Sequence, residues 1–340
     1  MNRSPPNASG FAGRSLGLPG VPLPEAQQTA MRRAYYAAVS HTDEQIGRVL
    51  AALAATGLRN STLVCVFADH GWSLGEHGEW EKHSNFELNV HAPWILSLPP
   101  PNNAAQSEPA HAQSELAHAQ SEAAHAQSEL AHAQSEPAHA QSEAAPNNVV
   151  GLYTEHVDIM PTLLEAAAGV VLPPCAANAS ASLCTMGRSR VALLDPSSLA
   201  PEALAALARS EANAAFSQYA RPYATGTHGP VLNTSWCALG SGQGGDPACT
   251  VGYSMVGLYA GPQLQGEYRY TEWVGFNTPG HPRARDWSDN AGTELYRHQG
   301  SSEERVNLAH DARYAAVARD FSRRLRKGPA NGGWGLPRQG

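Results

Sequence analysis

The chain has 340 residues, a mass of 36.0 kDa and a formal charge of −7, from 30 acidic and 23 basic residues. This length accommodates one large α/β domain or two smaller ones. The acidic balance argues against a nucleic-acid-binding protein, and the one short basic run, 323–327, is typical of a solvated helix face. No stretch approaches the roughly 20 apolar residues of a membrane-spanning helix.

The N-terminal part divides into an irregular segment and a long helix. Residues 1–27 are rich in Pro, Gly and Ser, so we expect disorder there, and they contain no apolar core of a signal peptide. A helix is predicted from about 28 to 56, ended by Gly57, because apolar residues recur at helical spacing. These residues are Val39, Ile46, Val49, Leu50 and Leu53.

The most informative stretch comes next. The apolar run 61–67 predicts a buried parallel strand, and 69–82 is a loop rich in glycine, acid and histidine. Asp69 and His70 open this loop and Lys82 closes it. Asp-His-Gly alone is also compatible with a simple turn, in which Asp caps, Gly takes positive φ and His is a bystander. The density of polar groups over the longer loop favours a metal ion that bridges to an anionic substrate group at the sheet edge.

A short helix near 85–91 and a second strand, 94–98, complete a pattern typical of a parallel or mixed sheet covered on both faces. Residues 101–148 then interrupt it with a seven-residue repeat, Ala-Gln-Ser-Glu-x-Ala-His. A coiled coil is excluded because Pro109 and Pro137 break the heptads and large apolar residues are scarce. The repeated histidines offer weak metal binding at most, and a solvated loop is the preferred interpretation.

The chain resumes at Thr154. Pro161 opens a predicted helix that Gly169 ends, and Arg313–Leu325 predicts a final amphipathic helix. Between them the sequence predicts short antiparallel strands at 253–259, 267–274 and 293–296.

Cysteines and sequons suggest an oxidising compartment. Cys65 lies in the apolar run and is interpreted as a small core residue, whereas Cys237 and Cys249 bracket a Gly-rich loop and make a plausible pair. Fully reduced cysteines remain the alternative. Sequons occur at Asn7, Asn60, Asn178 and Asn233. Asn60 is the strongest glycan candidate, because it lies in the predicted turn between helix and strand.

Several segments resemble the sulfatase family, and within it the iduronate-2-sulfatase group. The loop 69–82 is similar to the family's metal and sulfate loop, and 157–163 carries a pattern widespread in sulfatases. Segments 217–222, 268–277 and 294–296 resemble the C-terminal subdomain of the iduronate group.

The resemblance implies an α/β fold of the alkaline-phosphatase-like type: an incomplete mixed sheet with helices on both faces, plus a small α+β C-terminal subdomain. The corresponding domains are 28–170, which contains the repeat insert, and 171–328.

The resemblance also implies roles for individual residues. Asp69 and His70 become two ligands of a Ca²⁺ ion, Lys82 becomes the catalytic and sulfate-binding cation, and Trp72 becomes a wall of the sugar pocket. It implies a disulfide between Cys175 and Cys184. The family's nucleophile is a formylglycine made from a Cys-x-Pro-Ser-Arg motif, and 184–188 has the Cys and Arg but lacks the Pro and Ser.

The sequence therefore predicts part of a sulfuric ester hydrolase that acts on heparan- or dermatan-type glycans in the lysosome or outside the cell. Its nucleophile and other metal ligands are expected in an upstream part of the same protein. The alternatives are an inactive sulfatase-like module that binds sulfated glycans or a partner, and a phosphodiesterase or phosphonate hydrolase of the same superfamily.

Overall fold

The computed structural model of the chain describes residues 23–82, 84–99, 152–175, 183–194, 200–222, 249–278, 281–298 and 304–329. The repeat insert, most of the segment predicted to be disordered, Asn178, Asn233 and Cys237 lie outside these residues. The described residues form two compact units. The helical unit comprises 23–67 and 93–99, and the sheet unit comprises 68–92 and 152–329. Because each unit is discontinuous in sequence, the predicted domain boundary at residue 170 stays a prediction.

The elements are given in chain order. They are α1 (Glu25–Ala55), β1 (Val64–Phe67), β2 (Ser73–Leu74), β3 (Trp80–Glu81), α2 (Glu87–Val90), β4 (Trp94–Ser97), α3 (Ile159–Ala168), α4 (Val191–Leu194), α5 (Pro201–Arg209), β5 (Ala214–Pro222), β6 (Cys249–Tyr259), β7 (Gly266–Thr278), β8 (His281–His298) and α6 (Ala315–Lys327). Short 3₁₀ turns occupy Leu58–Ser61, Glu76–Gly78, His156–Asp158 and Ala312–Tyr314.

In the helical unit, β1 pairs with β4 in antiparallel register, with Val64 opposite Ser97. The predicted parallel strand is therefore wrong for the described part of the chain. A parallel pair needs a crossover that carries the chain back to the starting end of the first strand. Residues 68–92 instead form a hairpin and one helical turn, and the chain re-enters beside the end of β1.

Helix α1 forms where the apolar spacing predicts it, and Gly57 follows it with φ of 73°. None of the 31 residues of α1 is buried, and Val49 is 68% exposed. Across the β1–β4 pair, Phe67 and Ile95 are also more than half exposed. The apolar stripe that the sequence predicts therefore exists, but the described residues do not cover it.

The sheet unit contains an antiparallel four-stranded sheet in the order β5-β6-β7-β8. One face, here called the core face, packs on α6. Val317, Phe321 and Leu325 of α6 are fully buried against this face. Their partners on the sheet are Val251, Tyr253, Met255, Tyr268, Tyr270, Val274 and Leu295. This helix-on-sheet layer is the small C-terminal subdomain expected from the resemblance.

The opposite face, here called the polar face, is also buried in part. Side chains alternate between the two faces of a strand, so Arg269 and Thr271 of β7 point away from α6. Arg269 is 2% exposed, and Ser254 on the neighbouring strand is fully buried. A polar face that is shielded from water needs internal hydrogen-bond partners, and residues 84–92, Tyr153 and Glu304 supply them.

Helix α3 ends at Gly169 with φ of 67°, as predicted. Asp158, just before it, is buried and accepts hydrogen bonds from the Arg188 backbone and the Arg190 guanidinium. These hydrogen bonds give Asp158 a structural role, because they link the start of α3 to residues 188–190. Cys175 and Cys184 form a disulfide with an S–S distance of 2.04 Å.

Candidate functional site

Asp69 and His70, the two predicted metal ligands, begin the loop. His70 Nδ1 lies 2.8 Å from the Gly71 carbonyl oxygen, a contact that requires Nδ1 to carry the proton. The other nitrogen, Nε2, is buried and has no hydrogen-bond partner, although Asp69 Oδ2 lies 3.2 Å away. A bare imidazole nitrogen beside a carboxylate oxygen is an arrangement that a cation stabilises. The orphaned nitrogen and the carboxylate therefore fit two ligands of a divalent metal ion.

The hairpin β2–β3 explains how Lys82 returns to this region. Ser73 pairs with Glu81, so the next position in the register sets Trp72 opposite Lys82. Lys82 is exposed and Trp72 is 37% exposed. The two ends of the loop, separated along the chain, are thus closed onto each other by a short antiparallel ladder.

The tip of the hairpin is held by its own side chains. The Leu74 backbone N–H donates to Glu76 Oε2 at 2.6 Å, and the His77 ring stacks on Phe86 at 4.0 Å between centroids. Through these contacts, Glu76 and His77 hold the tip of the loop in place.

Buried polar side chains support the loop from below. Asn89 Nδ2 donates to Ser73 Oγ at 2.7 Å and to Ser84 Oγ at 2.8 Å. Asn85 Nδ2 donates to the Gly252 carbonyl on β6 at 2.8 Å. A Cβ at position 252 would lie 2.8 Å from the Trp273 ring. The lack of a side chain at Gly252 therefore leaves space for this ring on the sheet.

An ionic network joins α2 to the polar face. Arg269 Nε donates to Glu304 Oε1 at 2.8 Å, and its NH2 donates to Glu87 Oε2. His298 contacts Glu267 and Glu304 at 2.7 and 2.8 Å. Outside the first loop, the described residues thus contain a second cluster of acids and histidine.

Charge compensation decides how this network ionises. Burial favours the neutral acid at Glu87, but hydrogen bonds from His91 and the charge of Arg269 outweigh it and lower its pKa to about 2. Burial likewise opposes protonation of His298, yet its bonds to Glu267 and Glu304 raise its pKa to about 9.

Glu87, His298 and Glu304 bring ligand atoms close enough to hold a metal ion. The Arg269 guanidinium already bonds both carboxylates, and His298 uses both ring nitrogens on Glu267 and Glu304. This cluster is therefore satisfied by its own cations, which leaves Asp69 and His70 as the better candidate site.

Sequence reasoning did not find this network. The alternation of Arg269 with Tyr268 and Tyr270 predicts only that the arginine lies on the face opposite to the aromatic rings, and does not reveal its buried partners. Glu304 carries no signal, since it lies in an irregular segment whose contact with Arg269 depends on the folded chain.

Known proteins match this region. The family model described as Sulfatase matches residues 14–126. This part of the chain is therefore similar to the sulfatase family. The chain is 46% identical to human iduronate 2-sulfatase over 85 residues. This match covers 25% of the chain and 16% of the human enzyme.

Other sulfatases match over shorter stretches. Choline-sulfatase of Rhizobium meliloti is 38% identical over 68 residues, and arylsulfatase K of Danio rerio is 41% identical over 69. Each of these matches covers 20% of this chain and 13% of the relative. The matched segment thus spans less than a fifth of these sulfatases. The family model matches the part of the chain that holds the loop.

The remaining predictions concern Cys184, Asn60 and Cys237. Cys184 is engaged in the disulfide, so 184–188 does not supply a nucleophile. Asn60 is exposed in the 3₁₀ turn after α1, and its glycosylation stays a prediction. Cys237 lies outside the described residues, so its pairing with Cys249 also stays a prediction. Of the helices in the described ranges, none is both long and apolar enough to cross a bilayer.

Proposed function

We propose that this chain supplies one part of the active site of a sulfatase that removes sulfate from a sulfated glycan. The observation that carries the proposal is the bare, buried Nε2 of His70 beside the Asp69 carboxylate, on a loop within the segment matched by the sulfatase family. Identity to iduronate 2-sulfatase supports a uronic-acid sulfate of the heparan or dermatan type as the substrate, and a lysosomal or extracellular location.

The chain's own residues then have distinct roles. Asp69 and His70 would hold a divalent cation, proposed to be calcium, which when bound neutralises the sulfate oxygens. The pair supplies one carboxylate and one imidazole, whereas calcium takes six to eight oxygen ligands, so most of the coordination must come from elsewhere. Lys82 is exposed beside Trp72, where its ammonium can bind a sulfate oxygen and oppose charge that develops in the transition state.

The nucleophile is proposed to lie upstream of this chain. None of the cysteines in the printed sequence begins a Cys-x-Pro-Ser-Arg motif. The same upstream part is the proposed partner of the helical unit, because α1 and the β1–β4 pair expose Val49, Phe67 and Ile95. Apolar surface of this extent on one small unit is typical of a face that another part of a domain covers.

The test is an ester-hydrolysis assay on the protein translated from the transcript read to its 5′ end. With calcium present, we expect it to hydrolyse sulfate esters and to leave phosphate esters intact. Asp69→Ala and Lys82→Ala should each lower kcat/KM by about 10²-fold or more, because each removes a charge that faces the transition state. His310→Ala is the matched control, since His310 is an exposed polar residue of the sheet unit away from the loop.

Each outcome is decisive. Loss of activity in both loop variants with an intact control supports the assignment, and retained activity in either refutes that residue's role. Binding of a sulfated oligosaccharide without turnover would establish the inactive module instead. Preference for phosphate esters would establish the phosphodiesterase alternative.

A further inference from the structure

The loop that carries Asp69 and His70 is attached to α2 at very short range. The Gly71 backbone N–H donates to the Asn89 carbonyl at 2.9 Å. A Cβ at Gly71 would lie 1.9 Å from the Leu88 carbonyl oxygen, so only glycine fits against this turn. The His70 ring is oriented in turn by its bond to the Gly71 carbonyl. The direction of the imidazole therefore depends on where α2 holds Gly71.

Helix α2 cannot fix that position by itself. It is a single turn of four residues, Glu87–Val90, and isolated helices this short are unstable in water. Its N-terminal end is held by two contacts with buried groups of the sheet unit. The Glu87 carboxylate bonds to Arg269, and the Glu87 backbone N–H donates to Glu304 Oε2 at 2.8 Å.

Arg269 organises both contacts. Its guanidinium bonds Glu87 and Glu304 at the same time, so it orients the two carboxylates that grip α2. Its side chain is 3% exposed, and that of Glu304 is fully buried. Without the guanidinium, Glu87 would keep its bond to His91 and Glu304 its bond to His298, but no cation would bridge the two carboxylates. Helix α2 would then lose the bond between the Glu87 carboxylate and the polar face.

We propose that Arg269 is the positioning residue of the candidate metal site, acting through Glu87, α2 and Gly71 on the orientation of His70. The metal role of His70 rests on the function proposed above, whereas the mechanical link from Arg269 to His70 does not. The C-terminal sheet thereby does more than complete the fold: its polar face sets the geometry of a loop that lies far away in sequence.

The experiment measures amide hydrogen exchange of the metal-free chain at Gly71, with Met255 in the sheet core as the internal reference. Arg269→Lys keeps the charge but cannot bond two carboxylates in a fork. We expect exchange at Gly71 to accelerate about tenfold, while exchange at Met255 changes much less. In the same variant, the ¹⁵N shifts of His70 at about pH 8.5 should lose the pattern of a single Nδ1–H tautomer.

Arg326→Gln is the matched control. Arg326 also pairs with a buried carboxylate, that of Glu272. This pair lies on the core face of the sheet, whereas α2 is bonded to the polar face. It should leave Gly71 and His70 unchanged relative to Met255. Glu87→Gln provides a second test should Arg269→Lys fold poorly, because it weakens the same link and leaves Arg269 bonded to Glu304.

Equal acceleration at Gly71 and Met255 would mean that Arg269 only stabilises the fold, and the inference would be overturned. Unchanged exchange at Gly71 in both Arg269→Lys and Glu87→Gln would overturn it as well. Since no readout requires metal or turnover, failure here is separate from failure of the proposed sulfatase function.

Discussion

The two units of the chain bury their apolar residues to very different extents. In the sheet unit, Phe321 and Leu325 of α6 are fully buried against a four-stranded sheet, and the opposite face of that sheet is filled by paired charges. In the helical unit, α1 buries none of its residues, and Ile95 on β4 is 61% exposed. The sheet unit therefore contains a packed layer of helix on sheet, whereas the described residues of the helical unit, 23–67 and 93–99, form only half of a layer.

This contrast in burial gives the two units different interpretations. A packed layer can act as a rigid support, which is the role inferred for Arg269 and the polar face. A half-layer indicates a surface that another segment completes, which agrees with a matched segment covering only 16% of human iduronate 2-sulfatase.

The largest expected difference is in the free energy of unfolding when a leucine is replaced by alanine in each unit. Leu325→Ala should destabilise the sheet unit by about 2–5 kcal/mol, because it empties a fully buried position under the sheet. Leu50→Ala in α1 should change stability by less than about 0.5 kcal/mol, because Leu50 is 39% exposed and alanine favours helix. Urea unfolding of both variants measures the contrast. Equal costs would show that the helical unit has a core of its own.

The pH dependence of the sheet unit provides the next largest effect. Burial raises the pKa of Glu155 from 4.5 to about 7, although the Phe216 backbone N–H partly opposes this. The folded state therefore binds the proton more tightly than the unfolded state. The stabilisation that comes from protonated Glu155 is complete below about pH 4.5 and is lost as the pH rises through about 7.

Glu155→Gln keeps an acceptor for the Phe216 N–H but removes the titration. Between pH 4.5 and 8, wild-type stability should therefore fall relative to the variant by on the order of 2 kcal/mol, measured by urea unfolding at each pH. A wild-type curve parallel to that of Glu155→Gln would contradict the assignment.

Local signals predicted local structure well. Gly57 and Gly169 end their helices with positive φ, and the polar loop 69–82 lies where the apolar run stops. Predictions that depended on distant pairing did less well. Strand β1 is antiparallel to β4 because of the path taken by 68–92, which the composition of β1 does not encode.

The candidate site divides in the same way. Asp69, His70 and Lys82 could be predicted as site residues because they lie in one continuous segment. The hairpin register explains why the two ends of that segment approach each other. The residues that hold that segment in place could not be predicted, because Glu87, Arg269 and Glu304 meet only in the folded chain. Strand β5 was missed as a strand for a related reason, since its pairing with β6 spans a long intervening segment.

The smallest expected effect is the change in stability caused by a lysine on the exposed face of α1, and it tests directly whether this face is covered in a longer protein. Val49→Lys places a charge on the exposed face of α1, where Val49 is 68% exposed, so the stability of this chain should change by no more than about 0.5 kcal/mol. Ala54→Lys, at another exposed position of α1, should behave alike. In the protein extended upstream, thermal unfolding should separate them, because a lysine buried at position 49 is costly and one at an uncovered position 54 is not. Identical behaviour of the two variants in the longer protein would show that the face around Val49 stays open to water, and that the exposed apolar stripe of α1 is not the seat of an upstream segment.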